Sequence, residues 1–251
     1  MHKTVVALLV GVAIADGAIG SVDDKVVRYF PEWAADSRGA ITIRDLLTMS
    51  SGLEQYPFSL NPFAGKSAFR FLFAGDRERV ALTTVQRWQP QATYDYNDIN
   101  AQLLGLLLER ATGMRYRDYL QEKLWQPMGG QAAQVWLDHE QGLAMTACCL
   151  LAPAQDWARI GLLMKNGGEL NGKQIIPRDW ITAMLTPSTL NSSYGYFTWL
   201  GKDLKAFADQ KIADKPGAYE YWQSEAFAVD DLFYCWAIAG SGFMSPLNMI
   251  W

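Results

Sequence analysis

The chain opens with a continuous apolar stretch that restricts its fold more than any other feature. Residues 4–15 (TVVALLVGVAIA) carry no charged side chain and follow a short basic start at His2 and Lys3. Two interpretations fit. One is a secretory signal peptide, with Ala13-Ile14-Ala15 as its cleavage site; the other is a helix that protein surrounds on every side. Because the stretch is shorter than the ~20 residues that a bilayer requires, we expect no membrane span.

Composition indicates one globular domain covering residues 1–251. Half of the residues (50%) are apolar and 19% are charged, so the chain can bury a large core. The net charge of −4 offers no basic surface, and we expect no nucleic-acid partner. The sequence contains no repeat, low-complexity segment or long linker that would separate two domains.

Cysteine and histidine content argues against a disulfide framework and against a metal site. The cysteines, Cys148, Cys149 and Cys235, are odd in number, and two of them are adjacent. The only histidines are His2 and His139, so no metal-ligand spacing exists. We therefore expect no cofactor.

Local signals predict helices through most of the chain and strands near its end. Thr42 and Asp45 form a capping box, and Gly113 is a C-terminal cap. Asn171-Gly172 is typical of a two-residue hairpin turn. The predicted helices are 42–51, 67–73, 99–112, 116–125, 153–166 and 177–185, and the predicted strands are 194–200, 231–239 and 243–251.

Several segments together resemble the class C β-lactamase-related, or penicillin-binding-protein-like, serine hydrolases. They are residues 16–26, 41–53 (ITIRDLLTMSSGL), 152–168 and 172–180. The resemblance implies an α+β fold in which helices flank an antiparallel sheet and an all-helical lobe borders the cleft. It implies that residues 1–40 are the core helix and turn, 41–190 a mainly helical lobe, and 191–251 sheet strands. Residues 4–15 become the buried central helix, and further parts of the sheet are expected outside the chain.

The family's nucleophile motif, S-x-x-K, is incomplete. No serine of the 251 residues has a lysine three positions later, but a serine before Met1 would complete the motif with Lys3. The resemblance thus implies a fragment that starts one residue after its nucleophile. The parent protein would cleave a small ester or amide through an acyl-enzyme, and this chain alone would be inactive. Its compartment and oligomeric state remain open.

The family's Y-x-N motif corresponds to Tyr96-Asn97-Asp98, with Asp98 where the family has asparagine. The resemblance implies that burial lowers the pKa of Lys3, so that Lys3 accepts the serine proton and Tyr96 passes a proton to the leaving group. Other interpretations stay open. Tyr96 could be an aromatic of the cleft wall, Asp98 could simply cap the next helix, and Lys3 alone would be read as a solvated lysine.

A third motif corresponds to Cys235-Trp236-Ala237, and the next N–H, that of Ile238, would form half of the oxyanion hole. A buried aromatic strand without a catalytic role is the alternative. Because no lysine or histidine occurs at this motif, an esterase or amidase is favoured over a dedicated β-lactamase.

Other catalytic designs fit less well. His139 lies in a polar stretch typical of a surface loop, Ser50 and Ser51 match a structural turn, and no G-x-S-x-G elbow occurs. A non-catalytic relative that binds a ligand or peptide in the same cleft is the second functional hypothesis.

Overall fold

The computed structural model describes residues 1–56, 67 and 71–200, together with the backbone of residues 233–235 and 249–250. Its α-helices are α1 His2–Ala15, α2 Ile43–Leu47, α3 Arg77–Leu82, α4 Asp98–Thr112, α5 Tyr116–Leu120, α6 Ala154–Lys165 and α7 Arg178–Met184. Short 3₁₀ turns cover Val26–Arg28, Pro31–Trp33 and Ser37–Ala40, and a π-helical turn, Gln121–Trp125, extends α5.

The described strands are short and pair antiparallel. They are β1 Gln134–Val135, β2 Leu150–Leu151, β3 Glu169–Leu170, β4 Lys173–Gln174, β5 Trp199–Leu200, β6 Phe233–Cys235 and β7 Met249–Ile250. The pairs β1–β2 and β3–β4 form two-stranded sheets, and the third sheet has the order β5-β6-β7. In that sheet Trp199 pairs with Tyr234, and Cys235 pairs with Met249.

Helix α1 lies in the middle of the core, which confirms the prediction of a buried helix. Its residues from Val5 to Val10 are fully buried, as is Ala13. A helix that is apolar all round needs protein on every side, and α4 and α7 supply two of these sides. No helix among the described residues is long and apolar enough to span a membrane.

The contact between α1 and α7 depends on a glycine. A Cβ atom on Gly11 would lie 2.2 Å from the Trp180 indole, so only glycine leaves room for the ring at this point of α1. The Trp180 indole N–H donates to the Ala7 carbonyl at 3.0 Å. Together, close packing and a satisfied buried polar group fix α7 on the central helix.

Helix α4 holds a non-helical segment, residues 144–149, which we call the carbonyl segment. The Gln102 side chain donates to the Ala144 carbonyl at 2.8 Å and accepts from the Thr146 N–H at 3.3 Å. The Thr146 hydroxyl donates to the Ala101 carbonyl at 2.7 Å. Gly105 makes room for this contact, since a Cβ there would lie 2.5 Å from Thr146 Cγ2. The carbonyl segment is therefore held by side-chain contacts with α4, together with backbone pairing to Trp136 and Leu137.

Most predicted elements are confirmed. Thr42 and Asp45 form the capping box of α2, and Gly113 ends α4 with a φ of +69°. Asn171 and Gly172 both have positive φ, at 53° and 74°, as a type I′ hairpin turn requires. Of the predicted helix 67–73, residues 71 and 72 are helical, and residues 68–70 lie outside the described residues.

The predicted strand 194–200 is wrong except for its last two residues. Phe197 has a φ of +48°, and the chain folds back so that Tyr194 bridges to Trp199. Distant groups hold this turn. The Phe197 N–H donates to the Leu47 carbonyl at 3.1 Å, and the Tyr196 N–H donates to the Met184 carbonyl at 3.1 Å. Of the strands predicted at 231–239 and 243–251, the described portions are β6 and β7.

The cysteine count did not reveal one bond. Cys148 and Cys149 form a disulfide with each other, which the argument against a disulfide framework did not foresee. A bond between adjacent residues closes no long loop, so it requires none of the framework that the cysteine count tests for.

Candidate active site

Lys3 is the centre of the candidate site and lies in the first turn of α1. Its ammonium is 2.8 Å from a carboxylate oxygen of Asp98, and it donates to the Ala147 carbonyl at 2.7 Å. The same nitrogen lies 4.9 Å from the centre of the Tyr96 ring. The side chain is only 12% exposed, so the interpretation of Lys3 as a solvated terminal lysine is wrong.

The charge environment of Lys3 corrects the expected pKa. Burial lowers the pKa of Lys3, but the Asp98 carboxylate, together with Coulombic and hydrogen-bond contributions from Tyr96, raises it further than burial lowers it. The net pKa lies above the ordinary lysine value, and the ammonium form is therefore favoured. The expectation that burial leaves Lys3 neutral is wrong for this chain, because a carboxylate stands where the family has an amide.

Asp98 is the first residue of α4, and Asn97 is its cap. The Asn97 carboxamide oxygen accepts from the Ile99 N–H at 3.0 Å, and its nitrogen donates to the Leu53 carbonyl at 2.9 Å. Asp98 is thus not the N-cap, contrary to one of the alternatives. Its position at the helix N-terminus suits a carboxylate, and its side chain is 45% exposed.

Aromatic rings surround Tyr96. Tyr96 stacks on Trp199 with ring centres 5.8 Å apart, and the Tyr194 ring meets both rings edge-on. The turn that carries these partners is tied to α1, since the Thr4 hydroxyl donates to the Phe197 carbonyl at 2.8 Å. Thr4 therefore joins α1 to the turn that carries Tyr194 and Trp199, and the neighbouring Lys3 joins α1 to Asp98 and the carbonyl segment.

His2 is a part of this region that the sequence did not reveal. One ring nitrogen, Nδ1, contacts the Cys148 carbonyl, and Nε2 lies 2.9 Å from the Tyr116 hydroxyl. Burial lowers the pKa of His2 to about 4, so the ring is neutral. A carbonyl can only accept, which assigns the proton to Nδ1 and makes Nε2 the acceptor for Tyr116. The one sequence signal for a buried His2 was its position just before the apolar stretch 4–15.

The other predicted residues fall in three places. Cys235 lies on β6, whose neighbour β5 carries Trp199, while Trp236, Ala237 and Ile238 lie outside the described residues. Ser51 is buried and donates to the Asn100 side chain at 2.6 Å, as a structural serine would. His139 lies on an exposed turn beside Asp138. The described residues hold no cluster of side chains suited to a metal ion.

A comparison with known proteins identifies the family of this chain. A family model described as Beta-lactamase matches residues 1–221. The chain belongs to the beta-lactamase family. Over 194 residues it is 24% identical to the 6-aminohexanoate-dimer hydrolase of Paenarthrobacter ureafaciens, and the match covers 74% of the chain and 49% of that protein. The chain therefore spans about half the length of this curated relative.

Solved structures of similar proteins have the same fold. A penicillin-binding protein homologue from Caulobacter crescentus superposes with a TM-score of 0.65 at 17% identity, covering 92% of this chain and 69% of that one. A D-stereospecific amidohydrolase from Streptomyces gives a TM-score of 0.60 at 19% identity, covering 79% and 68%. The predicted α+β, β-lactamase/transpeptidase-like fold is confirmed. The beta-lactamase family is one of serine hydrolases, so the chain is related to hydrolytic enzymes.

Proposed function

We propose that the chain forms part of a serine hydrolase that cleaves an ester or amide through an acyl-enzyme, with Lys3 and Tyr96 as catalytic residues. The contact between the Lys3 ammonium and Tyr96 at the N-terminus of α1 is the observation that carries this proposal. Positions three apart share a helix face, so a serine directly before Met1 would lie beside Lys3. We assign the nucleophile to that position.

The charge on Lys3 determines which catalytic role Lys3 has and which role Tyr96 has. Since Asp98 favours the ammonium, Lys3 acts as a fixed positive charge. An ammonium at this distance stabilises a phenolate, so Tyr96 accepts the serine proton and later returns it to the leaving group. Asp98 determines these roles, because with an asparagine in its place burial would lower the pKa of Lys3 and Lys3 could itself accept a proton.

The last part of the proposal concerns β6 and the residues that come directly after it. We assign to Cys235, Trp236 and Ala237 the wall opposite Tyr96, and to the Ile238 N–H one half of the oxyanion hole. One such donor typically contributes about 3–4 kcal/mol to transition-state stabilisation. Two relatives whose names specify a hydrolase and an amidohydrolase support an acyl substrate with an ester or amide bond.

Hydrolysis by the longer protein that contains this chain tests the proposal. We expect Lys3→Ala and Tyr96→Phe each to lower kcat/KM on a p-nitrophenyl ester or a p-nitroanilide by about 10²–10⁴-fold. Tyr96→Phe removes the group that transfers the proton, and Lys3→Ala removes the positive charge that stabilises its phenolate. Lys173→Ala, at an exposed lysine of β4, is the matched control and should retain full activity. Variants that fold and keep wild-type rates would reject both assignments.

The 251-residue chain alone should show no steady turnover, because loss of the nucleophile costs ~10⁶ in kcat in a well-studied serine hydrolase. Hydrolysis that Ser51→Ala or Ser241→Ala abolishes would identify a different nucleophile and contradict the proposal.

A non-catalytic ligand-binding relative is the second candidate. The ion pair between Asp98 and Lys3 favours it, since it occupies the lysine that the family uses for chemistry. Saturable binding of a non-hydrolysed ester or amide by a well-folded longer protein without turnover would decide for this candidate.

A further inference from the structure

The disulfide between Cys148 and Cys149 lies at the end of the carbonyl segment, next to the candidate site. Three successive carbonyls here each have a partner. That of Ala147 accepts from the Lys3 ammonium, that of Cys148 accepts from His2, and that of Cys149 accepts from the Trp136 N–H at 3.3 Å. The covalent ring of two adjacent cysteines therefore belongs to the same stretch of backbone that binds the first turn of α1.

The backbone at this point has an unusual conformation. Cys149 has a φ of +68°, in the left-handed region that few residues other than glycine adopt. On its N-terminal side the segment is fixed by Gln102 and Thr146, so movement at the cysteine pair would be concentrated at Ala147 and Cys148. Both cysteines are partly exposed, so a small thiol can reach the sulfur atoms.

We propose that Cys148–Cys149 is a reversible thiol–disulfide switch that positions the carbonyl segment around Lys3. The disulfide form holds the Ala147 and Cys148 carbonyls on Lys3 and His2, and the dithiol form releases them. The reductant is a low-molecular-weight thiol. One thiolate attacks a sulfur of the pair, forms a mixed disulfide and frees the other cysteine. A second thiol then displaces the first, so two thiols become one disulfide while the pair gains two electrons and two protons.

This switch goes beyond the proposed hydrolase, since it concerns the environment of Lys3 whether or not the protein catalyses a reaction. Its test therefore needs no turnover. The full chain, equilibrated in air, is divided, and one half is treated with dithiothreitol. Alkylation with iodoacetamide and peptide mapping then count the free thiols at Cys148 and Cys149. In parallel, a trace of acetic anhydride at one fixed pH labels lysines, with light reagent for one half and heavy reagent for the other.

We expect Cys148 and Cys149 to be alkylated only after reduction. The labelling of Lys3 relative to exposed Lys173 should then rise about two- to tenfold, the equivalent of one lost hydrogen bond. Fragment spectra separate Lys3 from the Met1 amino group. A variant carrying Cys148→Ser and Cys149→Ser should show the high ratio with or without dithiothreitol. If that variant does not fold by circular dichroism, the two halves of the wild-type sample decide alone.

Three results would overturn the proposal. The first is alkylation of both cysteines in the air-equilibrated chain, which would mean that no disulfide forms. The second is a disulfide that reduces normally while the ratio of Lys3 to Lys173 labelling stays constant. The third is a ratio that dithiothreitol changes equally in the double variant, which would place the effect elsewhere.

Discussion

Helices α1 and α4 and the carbonyl segment contribute to the same site, but they are specified in different ways. Both helices are built from buried apolar side chains, and α4 also has local caps, Asn97 at its start and Gly113 at its end. The sequence of the carbonyl segment has no periodicity or cap that predicts its conformation. Its shape depends on the contacts of Ala144 and Thr146 with α4, on backbone pairing with Trp136 and Leu137, and on the disulfide at its end. Apolar burial therefore builds the scaffold, and a few long-range polar contacts place the groups around Lys3.

The largest expected effect tests the helical side of this comparison. Leu8 is fully buried in α1, whereas Leu162 on α6 is 48% exposed. We expect Leu8→Ala to lower the free energy of unfolding by about 2–5 kcal/mol, because it leaves a cavity in the core. Leu162→Ala, the same truncation in another helix, should cost about 1 kcal/mol or less. Urea unfolding followed by tryptophan fluorescence measures both, and equal costs would contradict the central position of α1.

A smaller effect tests the carbonyl segment. Gln102→Leu keeps the size of the side chain but leaves the Ala144 carbonyl and the Thr146 N–H without these partners, so it should cost about 1–3 kcal/mol. Gln121→Leu makes the same change at an exposed position and should be nearly neutral. If the two variants unfold at the same urea concentration, the segment does not depend on α4.

The smallest effect concerns the ion pair where the two regions meet. Asp98→Asn should cost about 1–2 kcal/mol near neutral pH, because it leaves the Lys3 ammonium buried but solvent already screens the half-exposed carboxylate. In the wild type Lys3 stays largely charged below about pH 10 in both states: in the folded chain its pKa is raised, and in the unfolded chain it has the ordinary lysine pKa of ~10.4. Lys3 therefore adds little pH dependence to the wild-type stability in that range.

In the Asp98→Asn variant, burial should lower the pKa of Lys3 below that of the unfolded chain. The folded variant then binds fewer protons than the unfolded one, and its stability rises with pH. We therefore expect the difference from wild type to shrink between about pH 7 and about pH 10, as measured by urea unfolding across that range. A difference that stays constant would mean that Asp98 does not set the charge of Lys3.

The sequence predicted the parts of the fold that local chemistry determines. Thr42 with Asp45, Gly113, and Asn171-Gly172 each form a cap or turn from neighbouring residues, and each was found where expected. Phe197 shows the opposite case. Its positive φ depends on the carbonyls of Leu47 in α2 and Met184 in α7 and on the Thr4 hydroxyl of α1, which no window of sequence around it contains. An alternating apolar stretch therefore looked like one strand and proved to be a turn.

At the candidate site, too, some features were predictable from the sequence and others were not. The register of motifs against the family brought Lys3 and Tyr96 together, and the structure places them in contact. The direction of the Lys3 pKa was wrong, because it depends on whether the Asp98 side chain reaches across to Lys3, and residue type alone does not fix that orientation. The role of His2 was missed because its partners are a backbone carbonyl, which every residue possesses, and the hydroxyl of the distant Tyr116. The bond between the adjacent cysteines was missed because the cysteine count tests only for a framework of long loops.

Covalent labelling of the longer protein tests the central claim most directly. The protein is treated with a fluorophosphonate, digested, and the modified peptide is located by mass spectrometry. We predict modification of a serine directly before Met1, lost in Lys3→Ala and retained in Lys173→Ala, because only Lys3 lies beside that position on α1. Labelling at another residue, or no labelling of a well-folded protein, would contradict the account.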